Sequence, residues 1–190
     1  FEIEAPSRAW AERLHSFGWL RHLRASDLAV SRSNARALLD EWIRFHKSHD
    51  PIARDPDVMA RRILSWLAQT PLVLEGCDHG FYRRFMRSLT KQVRHLRRVA
   101  RDVRPGLPRL RVMMALAAAG LSLSDQPRLV RQASRWLDQE LARQILPDGG
   151  HVGRNPGTVL EILVDLLPLR QAFTARGQQP SPALLGAIDR

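Results

Sequence analysis

Cysteine is almost absent from this chain. Cys77 is the single one in 190 residues, which excludes an internal disulfide and a multi-cysteine zinc site. Long apolar runs are missing as well. The best candidate, Val112 to Leu121, falls short of the roughly 18 uninterrupted apolar residues that span a bilayer, and it reads as a buried core helix instead. The sequence has no Walker loop, no dinucleotide glycine fingerprint, no HExxH and no GxSxG. No cofactor and no metal are therefore expected. No basic-then-apolar leader precedes Phe1, so the N-terminus does not give the compartment, and a bacterial cytoplasm and periplasm both fit.

Lysine is scarce too: only Lys47 and Lys91 among 30 basic residues. With so many alanines and leucines, that bias fits a GC-rich genome choosing arginine codons, and it accounts for much of the net charge of +11. The same charge also admits an anionic partner such as an acidic polysaccharide, nucleic acid or a membrane surface. The remaining composition, 44% hydrophobic and 26% charged, is that of a folded chain.

The pattern is helical almost throughout. Residues 1–6 alternate apolar and acidic before Pro6 and form a short extended arm. Trp10, Leu14, Phe17 and Leu20 then recur at steps of three and four, which places them on one helix face. A second helix is expected over 33–46, with Ala37, Leu38, Trp42 and Ile43 inward. Asp55-Pro56 has the form of an N-cap followed by a first-turn proline, opening a helix striped by Met59, Ile63, Trp66 and Leu67. Asp78 is placed to cap the longest helix, which buries Phe81, Phe85, Leu89, Val93 and Leu96. Its other side carries Arg83, Arg84, Arg87, Arg94, Arg97, Arg98 and Arg101.

Leu110 to Leu121 is apolar nearly all round and belongs in the interior. A sixth helix follows from Ser124 and Pro127 to Leu146, with Leu129, Ala133, Trp136, Leu137 and Leu141 as its stripe. A glycine-rich loop, 147–157, precedes a seventh helix to Ala175 that contains Pro168. An eighth begins at Ser181-Pro182, and its Leu184, Leu185 and Ile188 want a partner surface. Eight helices joined by short turns imply an all-α fold of antiparallel helical hairpins, taken here as one domain over 1–190.

Two groups of residues invite a chemical reading. His46 and His49 beside Asp50 have a spacing that a metal site can use, although a helix end rich in His, Lys and Asp is more often a solvated terminus. The arginine face of the longest helix suits phosphates or sulfates, and equally suits a solvated outer face. It has no interleaved aromatics, which counts against single-stranded nucleic acid. The most distinctive segment runs Gln144-Ile145-Leu146-Pro147-Asp148-Gly149-Gly150-His151-Val152-Gly153-Arg154-Asn155-Pro156. It holds a titratable base, a fixed cation and a neutral donor beside two glycines that let the backbone turn. Such a trio suits a carboxylate ligand, and the same Asp, Gly, Asn and Pro suit an interhelical turn. Chemistry alone leaves these two readings level.

A helix ending in Gln-Ile-Leu, then Asp-Gly-Gly-His, then Arg-Asn-Pro, then another helix resembles the heparinase II/III family. Ala117-Ala118-Ala119-Gly120-Leu121, the Trp136-Leu137 and Glu140-Leu141 spacing, and the opening Trp10, Leu14-His15-Ser16-Phe17, Trp19-Leu20 pattern are similar to that family as well. The resemblance implies the N-terminal portion of an incomplete (α/α) toroid, whose remainder and C-terminal β-sandwich domain lie outside this sequence. It also implies a polysaccharide lyase acting by β-elimination on an acidic, uronate-containing polysaccharide or oligosaccharide. In that chemistry one group neutralises the carboxylate, a base removes the adjacent C5 proton, and an acid protonates the departing oxygen. Carried onto this sequence, His151 would be the acid/base, Arg154 the carboxylate clamp, and Asn155 and Gly150 substrate contacts. Two family positions differ here. The family tyrosine falls near Thr158, and the Asn-His that opens the core helix falls near Leu107-Pro108. The alternative function is a non-catalytic helical module for an anionic partner, either glycan or nucleic acid; a plain helical scaffold is the third.

Overall fold

The computed structural model describes residues 5–25, 29–45, 50–123 and 126–190. Every regular element among them is a helix, and the sole β pairing is one isolated antiparallel bridge between Ile145 and His151. The expected all-α class is what the chain adopts. The described residues form two compact units, 1–98 and 99–190, each with its own core. Residues 1–4 of the expected 1–6 arm, the His46 and His49 pair, and the Ser124 start lie outside the described residues.

The first unit holds α1 (Arg8–Ser16), α2 (Leu20–Ala25), α3 (Ala29–Phe45), α4 (Pro51–Arg54), α5 (Pro56–Ala68), α6 (Thr70–Leu74) and α7 (His79–Val99, to its penultimate residue). Side-chain caps set several starts. Asp55 accepts from the Asp57 and Val58 amides at the head of α5, and Asp78 accepts from the Phe81 amide at 2.8 Å at the head of α7. The latter bond holds the Asp78 carboxyl below its usual range. In α7 the five expected apolar residues are all buried.

Two expected stripes differ. Helix α1 stops at Ser16 because Phe17 takes a left-handed backbone (φ 58°), so the three-and-four spacing does not continue to Leu20 on one face. Trp10 is left 38% exposed while Phe17 and Leu20 are fully buried. Helix α3 starts four residues earlier than expected and buries Ser31, Ala35, Leu39 and Trp42. That stripe leaves Ala37 and Leu38 facing out. The core of this unit is aromatic: Trp66 stacks on Phe85 with centroids 5.1 Å apart and meets Trp42 and Phe17 edge-on at 5.6 Å. Such geometries add about 0.5–1.5 kcal/mol per pair beyond simple burial.

The second unit holds α8 (Leu107–Ser122), α9 (Pro127–Gln144), α10 (Pro156–Ala175) and α11 (Pro182–Asp189). Residues 110–121 of α8 are all buried, the apolar ones as their circumference demands and Arg111 paired with Glu161. Helices α8 and α9 form an antiparallel hairpin. At one end Gly120 approaches Val130 so closely that a Cβ on the glycine would lie 2.9 Å from Val130 Cγ2. At the other end the Gln144 side chain reaches the Gly106 carbonyl. Helix α10 buries Ile162, Leu166, Leu169 and Phe173 and continues past Pro168. In α11 only Leu184 is fully covered, while Leu185 and Ile188 are half-buried.

Candidate functional site

The Asp148 to Asn155 loop joins α9 to α10, and its backbone closes on itself. Leu146 N–H donates to Gly150 O (2.8 Å), Val152 N–H to Gln144 O (2.8 Å), and Arg154 N–H to His151 O (2.8 Å). Gly149 adopts φ 79°, and an added Cβ there would lie 2.6 Å from the Arg190 carbonyl oxygen. Only glycine meets both conditions.

Each side chain expected to act on a ligand is engaged within this turn. His151 is 7% exposed. Its Nδ1 accepts the Gly153 amide at 3.0 Å, leaving the proton on Nε2, which faces Gln144 Oε1 at 3.3 Å. The Gln144 amide nitrogen donates to Gly106 O and Glu140 Oε2, which turns its oxygen toward the imidazole. Burial lowers the His151 pKa below its ordinary value, so the ring is neutral at pH 7. Arg154 donates to Asp148 Oδ2 at 2.6 Å, and this bond holds the Asp148 carboxyl below the usual range. Asn155 caps α10, its Oδ1 accepting the Gly157 amide at 2.9 Å. Gly150 donates its amide to Asp148 Oδ1. The structure thus gathers His151, Arg154, Asn155 and Gly150 into one loop, with the imidazole turned inward and the guanidinium paired outside. Thr158 and Leu107-Pro108 supply no base or acid.

A second polar constellation lies in the first unit, and sequence reasoning passed over most of it. Arg62 is 1% exposed, yet it has no carboxylate partner among the described residues. Its guanidinium sits over the Trp42 ring, 4.4 Å from the centroid, and donates to Gln92 Oε1, His15 O and Ala53 O at 2.6–2.9 Å. Burial pushes its pKa down to about 9, so it remains cationic at pH 7. Beside it, His15 accepts Trp42 Nε1–H on Nδ1 (3.1 Å) and places Nε2 3.0 Å from Asp50 Oδ2. The signal for Arg62 was present. Met59, Arg62, Ile63 and Trp66 share one face of a helix, but counting only apolar residues hides the arginine among them. Among the described residues no group of three His, Cys, Asp or Glu side chains is arranged to hold a metal, and no helix is long and apolar enough to cross a membrane.

Comparison with known proteins gives two likenesses, and no family model matches the chain. FtsZ-localized protein C of Caulobacter vibrioides (strain NA1000 / CB15N) is 34% identical over 197 aligned positions, covering 100% of this chain and 33% of that protein. The crystal structure of heparinase III matches with a TM-score of 0.72 at 16% identity, over 98% of this chain and 30% of that one. The chain therefore spans about a third of the length of each protein it resembles. At that identity the second likeness speaks for the fold alone: this is an all-α fold similar to that of heparinase III.

Proposed function

We propose that this chain is a heparinase-like helical module that binds an anionic partner without cleaving it, and that it works alongside FtsZ as the name of its relative FtsZ-localized protein C implies for that protein. The observation that carries the first part is the closed loop. Removing or delivering a substrate proton through His151 would break the bonds that hold Gly153 and Gln144, and Arg154 already gives one N–H to Asp148. Thr158 and Leu107-Pro108 stand where the family resemblance would place a tyrosine and an Asn-His. The FtsZ connection is supported by identity that runs the whole length of this chain.

A second reading keeps the lyase. It is favoured by the fold likeness to heparinase III, and it assigns His151 as acid/base with Arg154, Asn155 and Gly150 as substrate contacts on a uronate polysaccharide. Two experiments separate the readings. A fluorescent fusion of the full-length protein should gather with FtsZ and disperse when FtsZ is depleted. The full-length protein should also produce no unsaturated-uronate absorbance from heparin, heparan or alginate. Absorbance that rises, and that disappears in H151A, restores the lyase.

A further inference from the structure

Helix α7 presents a cationic stripe as well as an apolar one. Arg84, Arg87, Lys91, His95 and Arg98 recur at steps of three and four, so they share one face. That face forms one wall of a cleft of about 530 Å³ within the first unit, closed on the other sides by α3, α4 and α5. A cleft of this volume is the size that small ligands occupy.

The charges in the cleft are unevenly matched. Arg84 and Arg44 are both paired with Asp40, at 2.7 Å each. Arg87, Lys91 and Arg98 have no acidic partner among the described residues, and Asp50, the one carboxylate on the lining, faces His15. Arg62 lies behind them, buried and cationic, with the Asp50 charge acting on it but no carboxylate in direct ion pair among the described residues. His95 responds to this excess: burial first, then the charges of Arg54 and Arg98, lower its pKa. Burial of the Arg62 guanidinium outweighs the opposing pull of the Asp50 charge. A buried cation without a direct ion pair is costly to keep, and an anion in the cleft would offset that cost.

We infer that this cleft binds a small ligand carrying two or more phosphate or sulfate groups, held by Arg87, Lys91 and Arg98 with Arg62 beneath. The cationic lining residues come from two helices, Arg87, Lys91 and Arg98 from α7 and Arg62 from α5. A tetrahedral oxyanion accepts such donors on several oxygens, whereas a carboxylate takes its best fork in one plane. Arg87 to Arg98 spans about 16 Å of helix, which calls for more than one anionic group. Concavity argues against a flat bilayer as the partner. Trp42, the nearest large aromatic, is covered by Arg62 and offers no free face for a base. The inference rests on the reading of the chain as a binder of an anionic partner and assigns the place and the chemistry.

Isothermal titration of the full chain at fixed ionic strength tests it, with inorganic pyrophosphate and sucrose octasulfate as probes and glucuronate as the carboxylate control. At least one of the first two should bind, and the stronger names the ester. R87Q/K91Q should weaken that binding about tenfold or more, a difference of roughly 1.4 kcal/mol. R83Q/R94Q removes the same charge from exposed positions outside the cleft and should change affinity less than about twofold, well under that 1.4 kcal/mol. Equal losses in both variants, or glucuronate binding as tightly as pyrophosphate, would overturn the inference. Heparin titrated into the same proteins keeps the two claims apart. Heparin binding that survives R87Q/K91Q removes the cleft and leaves the binding module. No binding of any probe removes both.

Discussion

At the scale of single residues, the unusual members of this chain are buried polar groups that hold structure together. Arg62 donates to three acceptors from three parts of the first unit. R62A would strand all three, so it should destabilise the protein by about 3 kcal/mol or more; R62M, which keeps the bulk over Trp42, should cost less. Urea unfolding of both variants orders them, and an R62A no worse than an exposed arginine variant would contradict the assignment. His151 gives a pH prediction with a definite sign. Burial lowers its folded pKa below 6.5, so the unfolded chain takes up the proton first. Its contribution is complete above about pH 6.5 and is lost as the pH falls toward the folded value. His95 contributes with the same sign, so the readout is a difference. Wild type should lose more stability than H151N between pH 7.5 and 5, and identical profiles would show that His151 is not titrating in this environment.

At the scale of elements, what the sequence made legible depended on how local the cause was. The Asp55 and Asp78 caps, the five buried apolar residues of α7, and the nearly all-round apolar α8 are set by neighbours within a few positions, and all three are present. Trp10 and Leu38 went astray because the buried faces run through small or polar residues, Ala11 and His15 in α1 and Ser31 and Ala35 in α3, that an apolar count does not select. The loop was legible as a turn and as a site in equal measure. The partners of its side chains, Gln144 and Gly153 for His151 and Asp148 for Arg154, are a matter of three-dimensional closure that the sequence does not display. Gly120 makes the α8–α9 hairpin testable. A methyl there meets the Val130 side chain and backbone, so G120A should cost about 1–3 kcal/mol of overpacking. Its midpoint in denaturant should drop well below that of wild type, and an unchanged midpoint would mean that the two helices do not approach as described.

For the molecule as a whole, a helical fold similar to heparinase III's accompanies a sequence 34% identical to FtsZ-localized protein C. A fold does not fix a function, and the proposal of binding without cleavage rests on the side chains. The side chains of the loop that would carry elimination chemistry bond within their own turn, while Arg87, Lys91 and Arg98, without an acidic partner among the described residues, line a cleft of the first unit. Binding driven by those cations should weaken as salt is raised. Heparin affinity measured at low and at physiological ionic strength should therefore fall, and a salt-independent affinity would speak against an electrostatic site.

The most direct test of a module that binds without cleaving is a calorimetric titration of heparin into the full-length protein, followed long enough to see turnover. The account predicts a saturable isotherm in which heat flow returns to baseline after every injection. Steady heat that persists after each injection, the mark of continuing cleavage, would contradict it.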